Sequence, residues 1–414
     1  MLKLLAFLLY LRQKAVNGYR RYDLFDNPET AERLFYTHAP ITPMRIVQVV
    51  HAFPPEVGGL EHHVFYLSRE LVRKGHDVLV VAGNPGGLKS EETMDGVRVR
   101  RYRSFAFPGF SSVRLQPGLL LRLLFVPADV FHSHGYGSLH PLCAALAALL
   151  RRKPFFFTLH GYPKMTRLKE KAMLWLYRNF IARIYLAIAR KVISVSEDLS
   201  DIEREVARRK VAVIPNGADT ELFKPSKTEE RKTIITYVGR FDRYKGIDVL
   251  VRAFAQVVRE FPDVELHIVG KDEGMRSELE RLARELGVEG KTMFYEELEK
   301  AKMPEVYNRS SLVVLPSYYE GFSLVMLEAL LCRRPMLATQ VGMAEQVMRM
   351  AFGRHADMFL VKPGDVDGLA EKMRAILGAR ERLGDILKKA SERIAAEYSW
   401  PAVADRTLEL YQSS

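Results

Sequence analysis

The strongest constraint on the fold is a repeated alternation of short apolar runs, rich in β-branched residues, with amphipathic stretches of helical length. Such runs are typical of parallel strands buried on both faces, and the intervening helices then cover the sheet. The runs form two series. The first covers 45–50, 77–82, 97–102, 129–132, 154–159, 191–195 and 211–215, and the second covers 233–238, 264–269, 292–295, 312–316, 335–338 and 358–361. The sequence therefore predicts an α/β protein with two doubly wound parallel sheets.

The chain divides between the two series, after Asn216-Gly-Ala-Asp219 and at a polar stretch over 225–232. A length of 414 residues also favours two domains. We expect an N-terminal extension over 1–43, an N-terminal domain over 44–220 and a C-terminal domain over 221–397. The first eleven residues of the extension are apolar except Lys3. They are too few to span a bilayer, which takes about 20 residues, so they predict either an interfacial anchor helix or a docked helix.

Cysteine content and charge narrow the setting. Two cysteines cannot form a disulfide framework, which favours a reducing, cytoplasmic location. The net charge of the chain is +12. The segment 151–191 contains eleven Lys/Arg and one acidic residue, Glu170, so its net charge is +10. The rest of the chain carries only +2. A localised basic field indicates an anionic partner surface, either a membrane or a nucleic acid.

Two glutamates, Glu320 and Glu328, stand in an otherwise apolar run, Pro316-Ser-Tyr-Tyr-Glu-Gly-Phe-Ser-Leu-Val-Met-Leu-Glu. Acidic residues are seldom held in such a run unless they are paired or functional. Gly321 predicts a turn, and Ser323 with Leu324 predicts a helix start whose free N–H groups form an anion site. Carboxylates on both sides of an anion site suit a nucleotide sugar.

Other strand ends carry candidate ligand loops. Arg240 and Lys245, between Gly239 and Gly246, follow the run 233–238 and offer a bidentate fork and a point charge suited to a diphosphate. Gly58-Gly59 follows the run 45–50 and would let a ligand approach the backbone, although a simple tight turn explains it equally well. Asp365-Val-Asp367 has the spacing of an acidic metal motif, but its position before a helix predicts a cap.

Histidines lie at the ends of two predicted strands. His132 and His134 lie at the end of the run at 129–132, and His160 follows the run at 154–159. Residues two apart on a strand point the same way, so His132 and His134 can share a face. Zinc ligation, burial in the core and a place in an interdomain cleft are the three interpretations. Zinc would need further ligands, and no cysteine or His-x-x-x-His spacing supplies them. We expect no metal, and we favour His134 for the cleft because a glycine follows it.

Within the basic segment, Leu176, Phe180 and Ile184 form a stripe at helical spacing, with Trp175, Tyr177 and Tyr185 beside it. Basic amphipathic helices with aromatic residues often lie on anionic membrane surfaces. The alternative is an ordinary helix that packs its apolar face on the sheet and leaves its basic residues in water.

Taken together, the motifs resemble the family 4 retaining glycosyltransferases, which have the GT-B fold. The resemblance extends from Arg45 to Tyr411. It rests on Gly58-Gly59-Leu-Glu61, His132-Ser-His134, Val195-Ser196-Glu197, Ile214-Pro-Asn-Gly-Ala-Asp219, Gly239-Arg240…Lys245-Gly246 and Glu320…Glu328. It implies two Rossmann-like domains facing across a cleft, with the nucleotide sugar on the C-terminal domain and the acceptor on the N-terminal domain. Residues 398–414 resemble the helix that returns to the N-terminal domain in this fold.

The resemblance also implies residue roles. Arg240 and Lys245 would neutralise the donor diphosphate without a metal, Glu328 would hold the ribose hydroxyls, and Glu320 would contact the transferred sugar. His134 would lie near the reacting sugar as a catalytic residue, together with Glu320, Arg240 and Lys245. The remaining donor ligands would be Gly59 and the amides of Phe322, Ser323, Leu324 and Val325, and the acceptor ligands would be Gly58, Glu61 and His160.

Two positions depart from the family pattern. Arg333 stands where the family usually has glycine, two residues before Pro335. In the following loop, Val341-Gly342-Met-Ala-Glu345 has one glycine where the family normally has two adjacent ones, and it is one residue short. Both changes lie in the domain expected to bind the donor, so they bear on donor geometry.

We therefore expect a metal-independent retaining hexosyltransferase that uses a UDP- or GDP-linked sugar and no cofactor. The +10 segment predicts a peripheral protein on the cytoplasmic membrane face that acts on a lipid or lipid-linked acceptor. The alternatives are a soluble sugar or sugar-phosphate acceptor, and a catalytically silent GT-B binding module. A nucleic-acid partner is not expected, because no recognisable nucleic-acid-binding motif accompanies the charge.

Overall fold

The N-terminal half of the protein is built on one eight-stranded sheet. The computed structural model describes residues 42–55, 58–107, 110–160, 168–195, 210–226, 232–320 and 322–413. The strands of the sheet are β1 (Arg45–Val49), β2 (Asp77–Asn84), β3 (Glu91–Met94), β4 (Val97–Arg103), β7 (Val130–His134), β8 (Phe155–Leu159), β9 (Lys191–Ser194) and β10 (Val211–Val213). Their order is β10-β9-β8-β7-β1-β2-β4-β3, and every pair except β3–β4 is parallel. A separate hairpin consists of β5 (Phe105–Phe107) and β6 (Phe110–Leu115).

The C-terminal half is built on a six-stranded, fully parallel sheet. Its strands are β11 (Thr233–Val238), β12 (Val264–Val269), β13 (Thr292–Tyr295), β14 (Leu312–Leu315), β15 (Met336–Thr339) and β16 (Leu360–Val361). The order β13-β12-β11-β14-β15-β16 reverses direction between β11 and β14, as in a dinucleotide-binding fold. In such sheets ligands bind outside the carboxyl ends of the strands at the reversal. In the first sheet the corresponding point lies between β1 and β7.

Helices connect the parallel strands, as the sequence pattern predicts. In the first half they are α1 (Gly59–Arg73), α2 (Leu119–Phe125), α3 (His140–Leu150), α4 (Leu168–Leu176) and α5 (Arg183–Ile188), with a π-helical turn at Tyr177–Ala182 between the last two. In the second half they are α6 (Ile247–Val257), α7 (Arg276–Glu285), α8 (Met303–Arg309), α9 (Leu324–Leu331), α10 (Ala344–Phe352), α11 (Val366–Gly378), α12 (Gly384–Tyr398) and α13 (Trp400–Gln412).

The last helix, α13, packs against the first sheet rather than the second. Trp400, Val403, Leu408 and Tyr411 are buried in the same apolar cluster as residues of β1, β2 and α1. The backbone at Gly217 packs directly against the indole ring of Trp400. A Cβ added to Gly217 would come within 2.6 Å of that ring. The end of the chain thus completes the core of the N-terminal half.

The strands predicted from the sequence are all present among the described residues, with ends that differ by at most two positions. The expected helix cap is also present, since Asp365 accepts a hydrogen bond from the amide of Gly368 at 2.9 Å. Strand β3 and the β5–β6 hairpin were not predicted. The N-terminal extension, except for residues 42–43, and the Ser196-Glu197 part of one motif lie outside the described residues.

Candidate active site

Two loops meet at the carboxyl edge of the second sheet, where its strand order reverses. One follows β11 and contains a short 3-10 turn at Arg243–Lys245, and the other follows β14. The amide of Tyr318 donates to the carbonyl of Tyr244 at 2.8 Å. Gly246 has a left-handed backbone (φ +61°), and a Cβ there would come within 2.2 Å of the carbonyl oxygen of Pro316. Only glycine allows this close approach, which brings the two loops into contact.

The contact between the loops joins the two charged side chains that the sequence singled out. Lys245 Nζ donates to Glu320 Oε2 at 2.5 Å, and the hydroxyl of Ser317 lies 3.4 Å from the same oxygen. The side chains of Lys245 and Glu320 are 17% and 19% exposed, so the pair is mostly shielded but still reached by solvent. Arg240 is half-exposed, and its guanidinium lies 3.3 Å from the carboxylate of Asp242. The edge therefore presents two cations and an oriented carboxylate.

The second glutamate lies inside helix α9, as predicted. Glu328 is buried and accepts a hydrogen bond from the hydroxyl of Tyr307 at 2.7 Å. Burial raises its pKa, and the nearby Lys300 and the Tyr307 hydrogen bond act in the opposite direction. Tyr307 and Lys300 could not be predicted from the sequence, because neither lies in a motif. Only the packing of α8 and the preceding turn against α9 brings them near the carboxylate.

The start of α9 has the properties of an anion site. Ser323 is the N-cap residue with an extended backbone, and its side chain makes no capping hydrogen bond. Phe322 lies beside Tyr398 with ring centroids 5.7 Å apart, while Leu324 and Val325 are partly buried. The amides of the first turn are therefore not satisfied by their own cap, which suits a phosphate or similar group.

In the N-terminal half, the glycine pair begins helix α1. Gly59 faces open space, since a Cβ added there would meet no atom within 4 Å. Gly58 is different, because a Cβ there would come within 2.2 Å of the carboxylate of Glu61. Glu61 is buried and lies 3.7 Å from His51 Nε2. Backbone access at Gly59 is thus compatible with the predicted ligand contact, while Gly58 accommodates Glu61.

The histidines form a connected group at the carboxyl ends of β7 and β8. The rings of His132 and His134 share a face, with centroids 4.0 Å apart. His132 bonds to the hydroxyls of Tyr411 at 2.6 Å and Thr158 at 2.7 Å, so it is a core histidine satisfied by side chains. His134 has no exposed surface, and its nitrogens contact Gln48 Oε1 at 2.5 Å and His160 Nε2 at 3.2 Å.

This arrangement bears on two expectations. His134 lies beneath the surface, and the neighbouring His160 is partly exposed. A direct contact between His134 and a reacting sugar therefore stays a prediction. The absence of a metal stays a prediction, although further ring nitrogens lie nearby. A third histidine, His63 of α1, lies beside His134 and His160, and spacing along the sequence did not reveal it.

The two halves of the chain meet close to these groups. Tyr66 of α1 is stacked on Trp400, with ring centroids 5.4 Å apart and planes 11° apart. The ammonium group of Lys300, from the C-terminal half, lies 4.7 Å from the centre of the Tyr66 ring. Burial raises the pKa of Tyr66 to about 12. Lys300 thus connects α1 to the surroundings of Glu328.

An apolar groove of about 290 Å³ lies beside Gly137–Leu139, in the loop that follows His134 and the end of β7. It is formed by the loop that follows β7 and by the helical segment from α4 to α5. Its lining includes Leu115, Leu139, Met173, Leu176, Phe180 and Ile181. The hydroxyl of Tyr177 donates to the carbonyl of Ser138 at 2.8 Å and fixes the segment to that loop.

The predicted apolar stripe on this segment is exposed. Trp175, Leu176, Phe180 and Ile184 are 60%, 52%, 61% and 47% exposed, while Tyr177 and Tyr185 are buried. Exposed cations lie on the same segment at Lys169, Lys171, Arg183 and Arg190. The segment therefore does not pack this stripe on the sheet. None of the helices in the described part of the chain has the length and apolarity required to cross a membrane.

Comparison with known proteins gives a consistent result. Family models described as Glycosyltransferase Family 4 and Glycosyl transferases group 1 match residues 57–222 and 218–393. The chain is 28% identical over 408 residues to a glycogen synthase from Mycobacterium tuberculosis, which covers 89% of this chain and 94% of the relative. It is 27% identical over 378 residues to the gpi3 subunit of phosphatidylinositol N-acetylglucosaminyltransferase from Schizosaccharomyces pombe, covering 87% and 79%.

Solved structures show the same fold. HepE from Anabaena, in complex with UDP and glucose, superposes with a TM-score of 0.68 at 20% identity, over 90% of this chain and 100% of that chain. Sucrose-phosphate synthase from Thermosynechococcus elongatus gives a TM-score of 0.68 at 23% identity, over 89% and 98%. Two Rossmann-like sheets with binding loops at their carboxyl edges define the GT-B class of fold.

The two family models together span residues 57–393 and meet where the first sheet gives way to the second. The chain belongs to the family 4 glycosyltransferases. The family resemblance and the fold expected from the motifs are thereby confirmed.

Proposed function

We propose that the protein transfers a hexose from a UDP- or GDP-linked donor to an acceptor hydroxyl, with retention of the anomeric configuration. The observation that carries the proposal is the meeting of Lys245 and Glu320, beside Arg240, at the carboxyl edge where the second sheet reverses. A structural neighbour, HepE, was solved with UDP and glucose, which supports a nucleotide-sugar donor.

In this proposal the cations stabilise the departing diphosphate. When the bond between the anomeric carbon and the phosphate oxygen breaks, both electrons go to the diphosphate, and fixed positive charge lowers the barrier. Arg240 and Lys245 supply that charge in place of a metal ion. The 2.5 Å contact with Glu320 holds Lys245 in one position, so little reorganisation is needed during the reaction.

The remaining ligands follow from the same pose. The amides of Phe322–Val325 would receive phosphate oxygens, Glu328 would accept hydrogen bonds from the ribose, and Glu320 would contact the transferred sugar. Gly59 leaves room for the donor and acceptor to approach α1. Gly58, Glu61 and His160 complete the acceptor side of the proposal, and His134 is the proposed catalytic residue near the reacting sugar.

We assign the acceptor to the lipid or lipid-linked class, with the protein bound peripherally at the cytoplasmic membrane face. The support is the apolar groove beside the loop after β7, together with the exposed stripe and cations on the segment from α4 to α5. An apolar chain would occupy the groove while its head group reaches the histidine group. The exposed aromatic residues would enter the interface of an anionic membrane.

A soluble saccharide acceptor is the second candidate, and the curated relatives divide between the two classes. One is named for glycogen synthesis, and another is named for transfer to phosphatidylinositol. A catalytically silent GT-B binding module is the third candidate. The loops at Arg333 and 342–345 depart from the family pattern in the domain that would bind the donor, so this candidate is tested as well.

The first experiment is calorimetric titration of the purified protein with UDP- and GDP-linked hexoses in EDTA. Binding of one donor with micromolar affinity supports the metal-free site and identifies the sugar. Binding only after Mg²⁺ or Mn²⁺ is added overturns the assigned role of Arg240 and Lys245. Absence of binding under both conditions favours the silent module.

The acceptor class is tested separately by flotation with anionic vesicles at moderate salt. Vesicle binding that weakens as salt rises supports the membrane assignment, because salt screens charge on the exposed segment. A protein that binds donor and does not float with vesicles supports the soluble acceptor.

A further inference from the structure

One buried hydroxyl of the C-terminal half is aimed at the carboxylate that the proposed function assigns to the ribose. Tyr307 of α8 has no exposed surface, and its hydroxyl donates to Oε2 of Glu328 on α9 at 2.7 Å. Glu328 keeps 8% of its surface exposed, so a ligand can reach it and cannot reach the tyrosine. Any effect of Tyr307 on ligand binding therefore acts through Glu328.

The hydrogen bond occupies only part of what the carboxylate can accept. An ionised carboxylate has two oxygens with about four acceptor positions, whereas a phenol donates a single proton. Tyr307 fills one position on Oε2, and the other positions can accept further donors. The two neighbouring hydroxyls of a ribose are donors of the right number and spacing. The carboxylate can thus be fixed by Tyr307 and bind a vicinal diol at the same time.

The tyrosine ring is itself held in place by packing. Phe223, from the segment between the two sheets, contacts it with ring centroids 5.8 Å apart and planes at 62°. Both side chains are fully buried. The hydroxyl therefore keeps its position and does not follow a rotating carboxylate. A glutamate that is fixed before the ligand arrives loses less side-chain freedom when the ligand binds.

The pairing is not the simplest way to satisfy a buried tyrosine. The hydroxyls of Tyr177 and Tyr237, which are buried too, donate to backbone carbonyls at 2.8 Å and 2.9 Å. Tyr307 instead uses a carboxylate, the group whose burial costs most free energy. A backbone carbonyl would satisfy the hydroxyl without that cost. The choice of partner is better explained by what the hydrogen bond does for Glu328.

We propose that Tyr307 is a positioning residue for the donor. Its hydroxyl fixes Oε2 of Glu328 so that the carboxylate accepts both hydroxyls of the ribose, and the site thereby selects ribonucleotides over nucleotides that lack these hydroxyls. The inference rests on the proposed function, because it requires a nucleotide at Glu328. It adds a residue that contacts no ligand and a specificity that the proposed function leaves open.

The test compares two ligands on each protein sample. Wild type and Tyr307→Phe are titrated calorimetrically with UDP or GDP, whichever the donor titration selects, and with its 2′,3′-dideoxy analogue. Wild type should prefer the ribonucleotide at least tenfold, roughly the effect of one hydrogen bond to a charged group. Tyr307→Phe should reduce this preference at least about fivefold and change the affinity for the dideoxy analogue less than about twofold. Partial unfolding cancels, because both affinities come from the same sample.

Further variants separate positioning from a general effect on the fold. In a Glu328→Ala background, Tyr307→Phe should have no further effect on the preference, because its route to the ligand is gone. Phe223→Leu keeps the hydroxyl and loosens the ring, so it should produce a smaller loss of preference and serves as the test if Tyr307→Phe does not fold. Tyr411→Phe is the control, since it removes a buried hydroxyl that bonds to His132 in the N-terminal half, and it should leave the preference unchanged.

The outcomes distinguish this inference from the proposed function. A wild-type protein that binds UDP or GDP and binds the dideoxy analogue equally well would overturn the inference alone. So would a Tyr307→Phe variant that keeps the full preference, or one that weakens binding of both ligands to the same extent, which would show a purely structural role. A wild-type protein that binds neither UDP nor GDP would instead overturn the proposed function, and the inference with it.

Discussion

At the scale of single residues, the pair formed by Lys245 and Glu320 is the point at which structure and proposed chemistry meet. We expect Glu320→Gln to lower sugar transfer by at least 10²-fold, a loss typical of removing one preorganised electrostatic group. Binding of the free nucleoside diphosphate should change less, because Arg240 and Lys245 remain. Steady-state kinetics and calorimetry with the same protein samples measure the two effects.

The control for this variant is a carboxylate with the same kind of partner elsewhere in the domain. Glu265 accepts a hydrogen bond from Lys232 Nζ at 2.5 Å, and its side chain is 17% exposed. Glu265→Gln should leave transfer unchanged. Equal activity of wild type and Glu320→Gln would remove Glu320 from the mechanism, and equal losses in both variants would point to a general effect on the fold.

Arg333 shows how a departure from the family pattern acts through the backbone. It follows α9 with φ +54°, in the left-handed region, and its side chain is exposed. A residue other than glycine costs about 1–2 kcal/mol in this conformation, and the freer unfolded chain of glycine offsets about 0.4–1 kcal/mol. Arg333→Gly should therefore raise the free energy of unfolding by roughly 0.5–1 kcal/mol.

Urea unfolding measures this change, and Arg281→Gly provides a contrast of opposite sign. Arg281 is exposed inside α7 with ordinary helical geometry, so glycine there should lower stability by about 1 kcal/mol. If both variants lose stability, the left-handed backbone of Arg333 is not a source of strain.

The residues that sequence reasoning found and missed differ in one physical respect. Arg240, Lys245 and Glu320 lie directly after strands, and the carboxyl ends of parallel strands share an edge, so their meeting follows from topology. Tyr307 and His63 lie within helices, at positions where only the side-by-side packing of elements decides what they contact. No local pattern records that packing.

At the scale of elements, the sequence predicted the apolar parallel strands of both sheets and missed the polar edge strand β3 and the β5–β6 hairpin. Strand β3 has the sequence Glu-Glu-Thr-Met and lies at the antiparallel edge of its sheet with half of its residues exposed. Its apolar content is too low to distinguish it from a loop. The segment from α4 to α5 left two interpretations open, a membrane-contacting face and a face packed on the sheet, and the fold leaves its stripe exposed to solvent.

This exposed face leads to a prediction about membrane binding. Phe180→Glu should weaken binding to anionic vesicles about tenfold or more, since burying a phenylalanine side chain contributes roughly 1.5–3 kcal/mol and the new carboxylate is repelled by the surface. Flotation and the emission of Trp175 report the binding, because the other tryptophan, Trp400, is buried.

The matched control is Phe125→Glu. Phe125 is 84% exposed at the end of α2, before β7, and so lies at the amino edge of the sheet, away from the groove. It should leave vesicle binding unchanged. Equal loss in the two variants would show that any exposed phenylalanine suffices, and a wild-type protein that does not float would refute the membrane assignment.

At the scale of the whole molecule, the N-terminal half is held together by segments from both ends of the described chain. The hydroxyl of Tyr411, in the last helix, bonds to His132 on β7 at 2.6 Å, across 279 residues. Around this bond lie several buried histidines, whose neutral form the fold requires. The stability of this half should therefore depend on pH in a definite direction.

Burial lowers the pKa of His63 to about 4 and the pKa of His140 to about 3, whereas an unfolded chain titrates near 6.5. Between these values the unfolded chain binds more protons, so stability is fully present above about pH 6.5 and is lost as the pH falls toward the folded values. For His63 alone the full loss is about 3 kcal/mol. Urea unfolding in EDTA at about pH 7.5, 6 and 5 should show it.

The variant His63→Gln identifies the source of the pH dependence. Glutamine cannot take up the proton, so the decline of stability between about pH 6.5 and pH 5 should become shallower than in the wild type. His355→Gln removes an exposed histidine and should leave the slope unchanged. If the wild-type free energy of unfolding is the same at about pH 7.5 and pH 5, the buried histidines are not held neutral by the fold. The packing that joins the end of the chain to β7 would then tolerate a charged imidazole at its centre. That result would be unexpected, because His63, His132, His134 and His140 are buried there and only His51 and His160 are partly exposed.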